Sequence, residues 1–377
     1  MNEQISNFLS ERIAANDFPS AVYLVAEKGE IVFHAALGMA VVEPERIPAR
    51  LDTIYDVASL TKPLVTGLLI AKLVEAKEIR PSDPISNFFP SIDGPDPGAL
   101  KIGDLLLHTS GLPAWEPLYL KVKDPAEIFD YLLHVPVKAG AIDVIYSDLN
   151  FQILGFLVEE LYGQDMRLTL DSEIVDSLEL EDTSFVPPVD ALVKRIAASE
   201  KGNEYEKRTC IERGFLEDPA DADAQDLFRT DVIWGEVHDG NAYFMGGVAG
   251  HAGLFSTAKD VFKMAQQFLP NYTQILKPET CELFRTNFTE GMNEDRSFAF
   301  QLASTEGSTA GSKMSPESFG HNGFTGTSLW IDPVKERIFV LLTNRTHNHP
   351  LPFVNINTVR RQFHDLAIGF LDEPPLT

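Results

Sequence analysis

Ser59 and Lys62 stand three residues apart in the stretch Val57-Ala58-Ser59-Leu60-Thr61-Lys62-Pro63-Leu64. At that spacing a hydroxyl and an amine share one face of a helix, which suits a nucleophile beside a group that takes its proton. The stretch runs into Leu64, Leu68, Ala71 and Glu75, a spacing that predicts a helix ending near Lys77. Pro63 then falls in the first turn, where a missing N–H costs little. The N-terminus of that helix favours negative charge developing at Ser59. Alone, the pattern is weak, since Ser-x-x-Lys is expected about once or twice by chance in a chain of this size. It recurs at Ser256–Lys259, where Ser256 reads as the N-cap of an amphipathic helix carrying Val261, Met264, Ala265 and Phe268.

Two more groups can join this chemistry. Tyr146 sits just before a predicted amphipathic helix with Leu149, Ile153, Phe156, Leu157 and Leu161 inside, Gly163 as its stop, and Ser147 or Asp148 as N-cap. A nearby ammonium lowers a phenol from its usual pKa of roughly 10, which makes Tyr146 a candidate base. His321-Asn322-Gly323 is one of several His/Lys-x-Gly triplets, others starting at Lys101, Lys138, His238 and His251. Only His321 is followed directly by a strand-turn-strand pattern. Gly323 and Gly326 let backbone come close to a substrate, and an N–H there, facing the N–H of Ser59, would make an oxyanion hole.

The elements that must hold these groups are β-rich at both ends of the chain and helical between. A first helix on Ile5, Phe8, Leu9 and Ile13 precedes a hairpin, 21–26 and 31–36, turned by Glu27-Lys28-Gly29-Glu30. Strands are expected at 298–303, 327–331 and 338–343, with a closing helix at 359–370. The expected fold class is therefore α/β (α+β): an antiparallel sheet flanked by N- and C-terminal helices, with a mostly helical domain inserted. The expected division is 1–58 with 240–377 for the sheet domain and 59–239 for the insert. Gly246 to Gly253 is glycine-rich without the Lys-Ser/Thr of a phosphate loop, and reads as a tight loop where backbone meets backbone or ligand.

Composition narrows the function classes. A formal charge of −25 on 377 residues argues against nucleic acid and anionic membranes as partners. No apolar run reaches spanning length, so membrane insertion is not expected. Residues 1–9 lack the basic and apolar regions of a signal peptide. If Met1 is the native start, the expected location is the cytoplasm; a removed leader would make it periplasmic. Cys210 and Cys281 read as free thiols. The acidic run 217–226 lacks the glycine and closing glutamate of a calcium loop and reads as solvated surface. His238, Asp239 and His251 have irregular spacing for zinc, and no cofactor or metal is expected. His347 and His349 are expected on a surface turn near the cleft. Trp115 and Trp234 are candidate substrate contacts, with packing between domains as the equal alternative.

Ser59-x-x-Lys62, Tyr146 and His321-x-Gly323, in this order, resemble the serine β-lactamase and penicillin-binding-protein superfamily. More narrowly, the chain resembles the class C β-lactamase-related hydrolases: D,D-peptidases, D-aminopeptidases and β-lactamase-like esterases. Supporting stretches are Leu105 to Pro113, Tyr146 to Phe151, Gly247 to Thr257 and Gly320 to Pro333. The resemblance implies a β-lactamase/transpeptidase-like fold. It implies that Ser59 is acylated, that Lys62 accepts its proton, and that Tyr146 relays a proton to the leaving group and activates the deacylating water. It implies an oxyanion hole from the N–H groups of Ser59 and Phe324, and substrate contacts at Asp148 and Gly323. His321 replaces the Lys of many β-lactamases, and Asp148 replaces the usual Asn. A carboxylate there would raise Lys62 and oppose its role as a base. Bringing Lys62 from roughly 10.4 to near 7 takes about 4–5 kcal/mol of differential interaction. If Lys62 stays charged, Tyr146 as phenolate is the better base, and both assignments stay open here. The expected function is a serine hydrolase for small ester, amide or peptide substrates. Its alternatives are a D,D-carboxypeptidase, D-aminopeptidase or β-lactamase, and, in another class, a non-catalytic sensor on the same fold.

Overall fold

The computed structural model describes residues 1–89, 100–138, 143–216 and 227–373; the acidic run 217–226 and the last four residues lie outside them. The strands, numbered in chain order, are β1 (Ser20–Glu27), β2 (Glu30–Val41), β3 (Ile47–Pro48), β4 (Tyr55–Asp56), β5 (Phe255–Ser256), β6 (Arg296–Ser297), β7 (Phe300–Leu302), β8 (Phe319–Asn322), β9 (Ser328–Asp332) and β10 (Arg337–Thr343). Eight of them form one antiparallel sheet in the order β3-β2-β1-β10-β9-β8-β7-β6, while β4 and β5 pair separately. The N-terminal hairpin thus docks against the last strand, with Ala21 opposite Thr343 and Glu27 opposite Arg337.

Side-chain alternation along β1 and β10 explains the layers. Tyr23, Val25, Phe339 and Leu341 face the terminal helices Glu3–Ala14 and Asn357–Asp372, where they pack with Ile5, Leu9, Phe363 and Ala367. Val22, Leu24, Val340 and Leu342 face the opposite way, into a larger core shared with Leu64, Leu68, Phe151, Ile153 and Val261. Both faces are covered, so these strands read as unbroken apolar runs, and each buried Leu, Val or Phe contributes about 1.5–3 kcal/mol. The second core carries the site, because it joins the sheet to the helices that follow Ser59 and Tyr146.

Local expectations differ from the structure at two helix starts. Ser256 does not cap the helix Ala258–Ala265; it pairs with Tyr55 across β4–β5. Thr257 is the cap, its side chain accepting from the N–H of Asp260. The helix after Ser59 is not uniform either. It begins as a 3-10 turn, Ala58–Leu60, widens to a π-turn, Lys62–Gly67, and becomes α over Leu68–Ala76. The glycine-rich loop meets backbone as expected: a Cβ on Gly250 would fall 2.1 Å from Phe151 O.

Candidate active site

Ser59 is held by strain and compensation. Ala58 before it has φ 49°, an unusual value for a residue with a side chain. The Ala58 N–H donates to Asp56 Oδ1 at 2.8 Å, and Asp56 Oδ2 accepts from the His238 N–H at 2.8 Å. Burial pushes the Asp56 carboxyl above its usual range. Three residues on, Lys62 is fully buried. Its Nζ donates to Ser59 Oγ at 2.9 Å and to the His251 carbonyl at 3.1 Å, and lies 2.7 Å from Asp148 Oδ1. These partners match the three N–H bonds of an ammonium.

Asp148 therefore does not serve as a helix cap: it opens the helix Asp148–Tyr162, and its carboxylate turns to Lys62. Burial alone would pull Lys62 down, but Asp148, and after it Tyr146, raise it above its ordinary value. Tyr146 lies against Lys62, whose Nζ is 5.0 Å from the centroid of its ring, yet the phenol's pKa is raised, because burial outweighs the ammonium and Asp148 adds to the rise. This corrects the expectation of a lowered phenol. At rest, Lys62 is an ammonium and Tyr146 a neutral phenol.

His108, fully buried, positions Tyr146. Its carbonyl accepts from the Ile145 N–H at 2.9 Å, its Nδ1 accepts from the Ser147 N–H at 3.0 Å, and its ring lies 4.5 Å from the Tyr146 ring. Burial first, then Arg296 and Lys62, hold the imidazole well below its usual pKa, so it stays neutral.

The opposite wall is β8 and the turn after it. His321 Nδ1 donates to the Asn322 carbonyl at 2.9 Å; its ring centroid is 5.7 Å from Tyr146. Burial, then Lys62 and Arg296, keep it neutral too. The turn is stapled to the segment before Ser59: Thr325 Oγ1 donates to Asp56 O at 2.8 Å and Thr327 Oγ1 to Val57 O at 2.9 Å. Gly323 is required there, since a Cβ would fall 2.0 Å from Thr327 Oγ1 and 2.5 Å from Val57 O. The turn and the Ser59 segment thus run side by side, and Phe324 joins Ser59 on one cavity.

That cavity, about 560 Å³, is lined by Ser59, Trp115, Tyr146, Asp148, His321 and the Gly323–Phe324 turn. The residues expected to touch substrate are therefore brought together, Trp234 excepted. Trp234 lies elsewhere, its Nε1 donating to Ile196 O at 2.9 Å. His347 is buried rather than on a surface turn; its Nδ1 donates to Ser199 O at 2.8 Å and its Nε2 accepts from the Val42 N–H at 2.9 Å. The three groups considered for zinc fall into two pairs, His238 with Glu200 at 2.9 Å and His251 with Asp239 at 3.0 Å. His251 and Lys62 hold the Asp239 carboxyl well below its usual value despite burial.

Among the cavity residues that escaped the sequence reading are Glu206, Arg296, Arg345 and Arg360. No motif or spacing in the sequence marks them.

With this geometry in place, comparison identifies the class. Residues 5–361 match the sequence profile of the Beta-lactamase family, and the chain belongs to that family. A relative from Escherichia coli (strain K12), named "Putative D-alanyl-D-alanine carboxypeptidase", is 31% identical over 373 residues, covering 92% of this chain and 82% of the relative. Among solved structures, one titled "A class C beta-lactamase" has a TM-score of 0.74 at 14% identity, covering 99% of this chain and 96% of its own. EstCE1, titled a hydrolase with promiscuous acyltransferase activity, has a TM-score of 0.72 at 19% identity, covering 96% and 97%. The architecture is the β-lactamase/transpeptidase fold, and the family is one of hydrolases.

Proposed function

We propose that the protein is a serine hydrolase that cleaves small esters or amides through an acyl-enzyme on Ser59. The observation that carries this reading is the contact of Ser59 Oγ with Lys62 Nζ at 2.9 Å, in the wall of a cavity that Phe324 also lines. In this reading the Lys62–Asp148 ion pair is the resting store of the proton. Substrate entry displaces water from Asp148, and drying an ion pair favours its neutral form. Lys62 passes a proton to Asp148 and, as an amine, takes the Ser59 proton while Oγ attacks the carbonyl. The N–H groups of Ser59 and Phe324 hold the oxyanion. The neutral Tyr146 phenol gives its proton to the leaving group and regains one from Lys62. Water then enters by the reverse path and releases the acid.

A fluorophosphonate probe tests this: mass mapping is expected to place the adduct on Ser59. An intact protein without adduct, or an adduct on another residue, overturns the reading. A second reading within it, D,D-carboxypeptidase action, is favoured by Arg296. This guanidinium is 2% exposed, lines the cavity and pairs through Nη1 with Glu294, while its Nε and Nη2 have no partner. Two free donor nitrogens, Nε and Nη2, on one guanidinium fit a substrate carboxylate. Hydrolysis of a D-Ala-D-Ala peptide but not of its C-terminal amide supports this second reading; equal rates on both exclude it.

A further inference from the structure

Two arginines that reach the cavity wall close on the turn. Arg360, from the C-terminal helix, is 5% exposed. Its Nη2 donates to the carbonyls of Gly323 and Thr327, both at 2.9 Å, and its Nη1 to Asn357 Oδ1 at 2.9 Å. Arg345 Nε donates to the carbonyl of Phe324 at 2.7 Å, and its Nη1 to Val354 O at 2.8 Å. The turn closes on itself as well: the Gly323 N–H donates to Thr327 O at 2.8 Å and the Gly326 N–H to Gly323 O at 3.1 Å.

The Gly323 carbonyl and the Phe324 N–H belong to one planar peptide group. Charge placed at the oxygen end of an amide increases its resonance polarisation and strengthens the N–H at the other end as a donor. We infer that Arg360 is a positioning residue that polarises the Gly323–Phe324 peptide and fixes its plane, so that the Phe324 N–H meets the developing oxyanion as a strengthened donor. This rests on the serine hydrolase reading. Arg360 suits the task because it touches both ends of the turn, Gly323 O and Thr327 O, from a rigid helix. Burial, then Arg345, bring its pKa down to about 9, so the charge is present at neutral pH. Arg345 does not duplicate it, since the Phe324 carbonyl belongs to the next peptide.

The experiment compares Arg360→Gln and Arg360→Lys with the parent enzyme. Gln keeps a neutral donor, and Lys keeps the charge without the fork. The measurements are kcat and KM on p-nitrophenyl butyrate, the second-order rate of fluorophosphonate labelling at Ser59, and the thermal melt. The expected result for Arg360→Gln is a loss on the order of tenfold in kcat and in labelling rate, with KM within about threefold, since a weakened donor costs less than the ~10²–10³ of a removed one. Arg360→Lys is expected to recover most of the rate at the same KM. Unchanged kcat in a folded Arg360→Gln protein, or a loss carried by KM alone, overturns the inference. Should Arg360→Gln fail to fold, Arg360→Lys decides: a folded Lys variant as slow as a Ser59-free background overturns it, and near-parent kcat supports it. If the parent itself takes no label at Ser59, the hydrolase reading fails, and the inference with it.

Discussion

The two walls of the cavity do their work in different currencies of structure. On the helical side, four side chains, Ser59, Lys62, Asp148 and Tyr146, compensate one another's charge and protons within hydrogen-bond reach. On the sheet side, the candidate donor is a backbone N–H, and the side chains around it act through the backbone: Thr325, Thr327, Arg345 and Arg360 each bind a carbonyl. The first wall is therefore sensitive to deletion of a functional group. The second is sensitive to addition of volume, because backbone position is what it supplies.

The largest expected effect deletes from the first wall. Ser59→Ala is expected to lower kcat by ~10⁴ or more and to abolish fluorophosphonate labelling, with the melt little changed. Retained turnover would remove Ser59 from the chemistry, and an unchanged biological effect of the variant would favour the non-catalytic sensor alternative. Addition to the second wall comes next. Gly323→Ala places a methyl inside van der Waals contact of Thr327 Oγ1 and Val57 O. The turn must shift, and a displacement near 1 Å at an oxyanion donor costs on the order of 10² in kcat. The accompanying overpacking costs about 1–3 kcal/mol of stability, read by denaturant unfolding. A Gly323→Ala enzyme with parent kcat would show that the backbone wall is not a donor.

Asp148→Asn sharpens the comparison inside the first wall. Asp148 is a main cause of the raised Lys62 pKa. In the proposed mechanism the parent's Lys62 hands its proton to Asp148, so kcat/KM needs no proton lost to solvent. Asp148→Asn removes that acceptor, so Lys62 must release its proton to solvent first, and the variant's kcat/KM is expected to fall by on the order of tenfold at pH ~7 and to climb with pH as Lys62 titrates. A variant with the parent's kcat/KM and pH profile would take Lys62 out of the base role and leave it to Tyr146.

The two walls also differ in how far sequence reveals them. Ser59, Lys62, Tyr146 and His321 are visible because chemistry needs those residue types, and the order of three motifs is specific. The hairpin, the Gly163 stop and the closing helix are visible because burial imposes periods of 2 and 3.6 on apolar residues. Gly323 is visible only as a glycine; its reason, the close approach of Thr327 and Val57, is a contact between segments 270 positions apart. Arg345 and Arg360 are invisible for the same reason, since their partners are carbonyls, which every residue has. The protonation states of Lys62 and Tyr146 were also out of reach, because they depend on competition between burial and Asp148 that only three-dimensional distances resolve.

The smallest effect tests how far the charge network of the helical wall extends. Glu206 lines the cavity and contacts Gly240, next to Asp239, which in turn pairs with His251. Burial, then Asp239, push the Glu206 carboxyl up to about 8. An unfolded chain loses that proton near pH ~4.3. Between those two values the native state holds a proton that the unfolded state has released, so stability falls as pH rises and levels off above the native pKa. Below the unfolded value both states are protonated and the group contributes nothing. Glu206→Gln removes the dependence: its melting temperature, equal to the parent's near pH 4, is expected to exceed it increasingly towards pH 8.5, by on the order of 5 °C. A constant difference across that range would show that Glu206 ionises freely and that the network stops at Asp239. The turn 323–327 carries no titratable side chain of its own, so substitutions at Thr325 or Thr327 are expected to shift the melt by the same amount at every pH in this range.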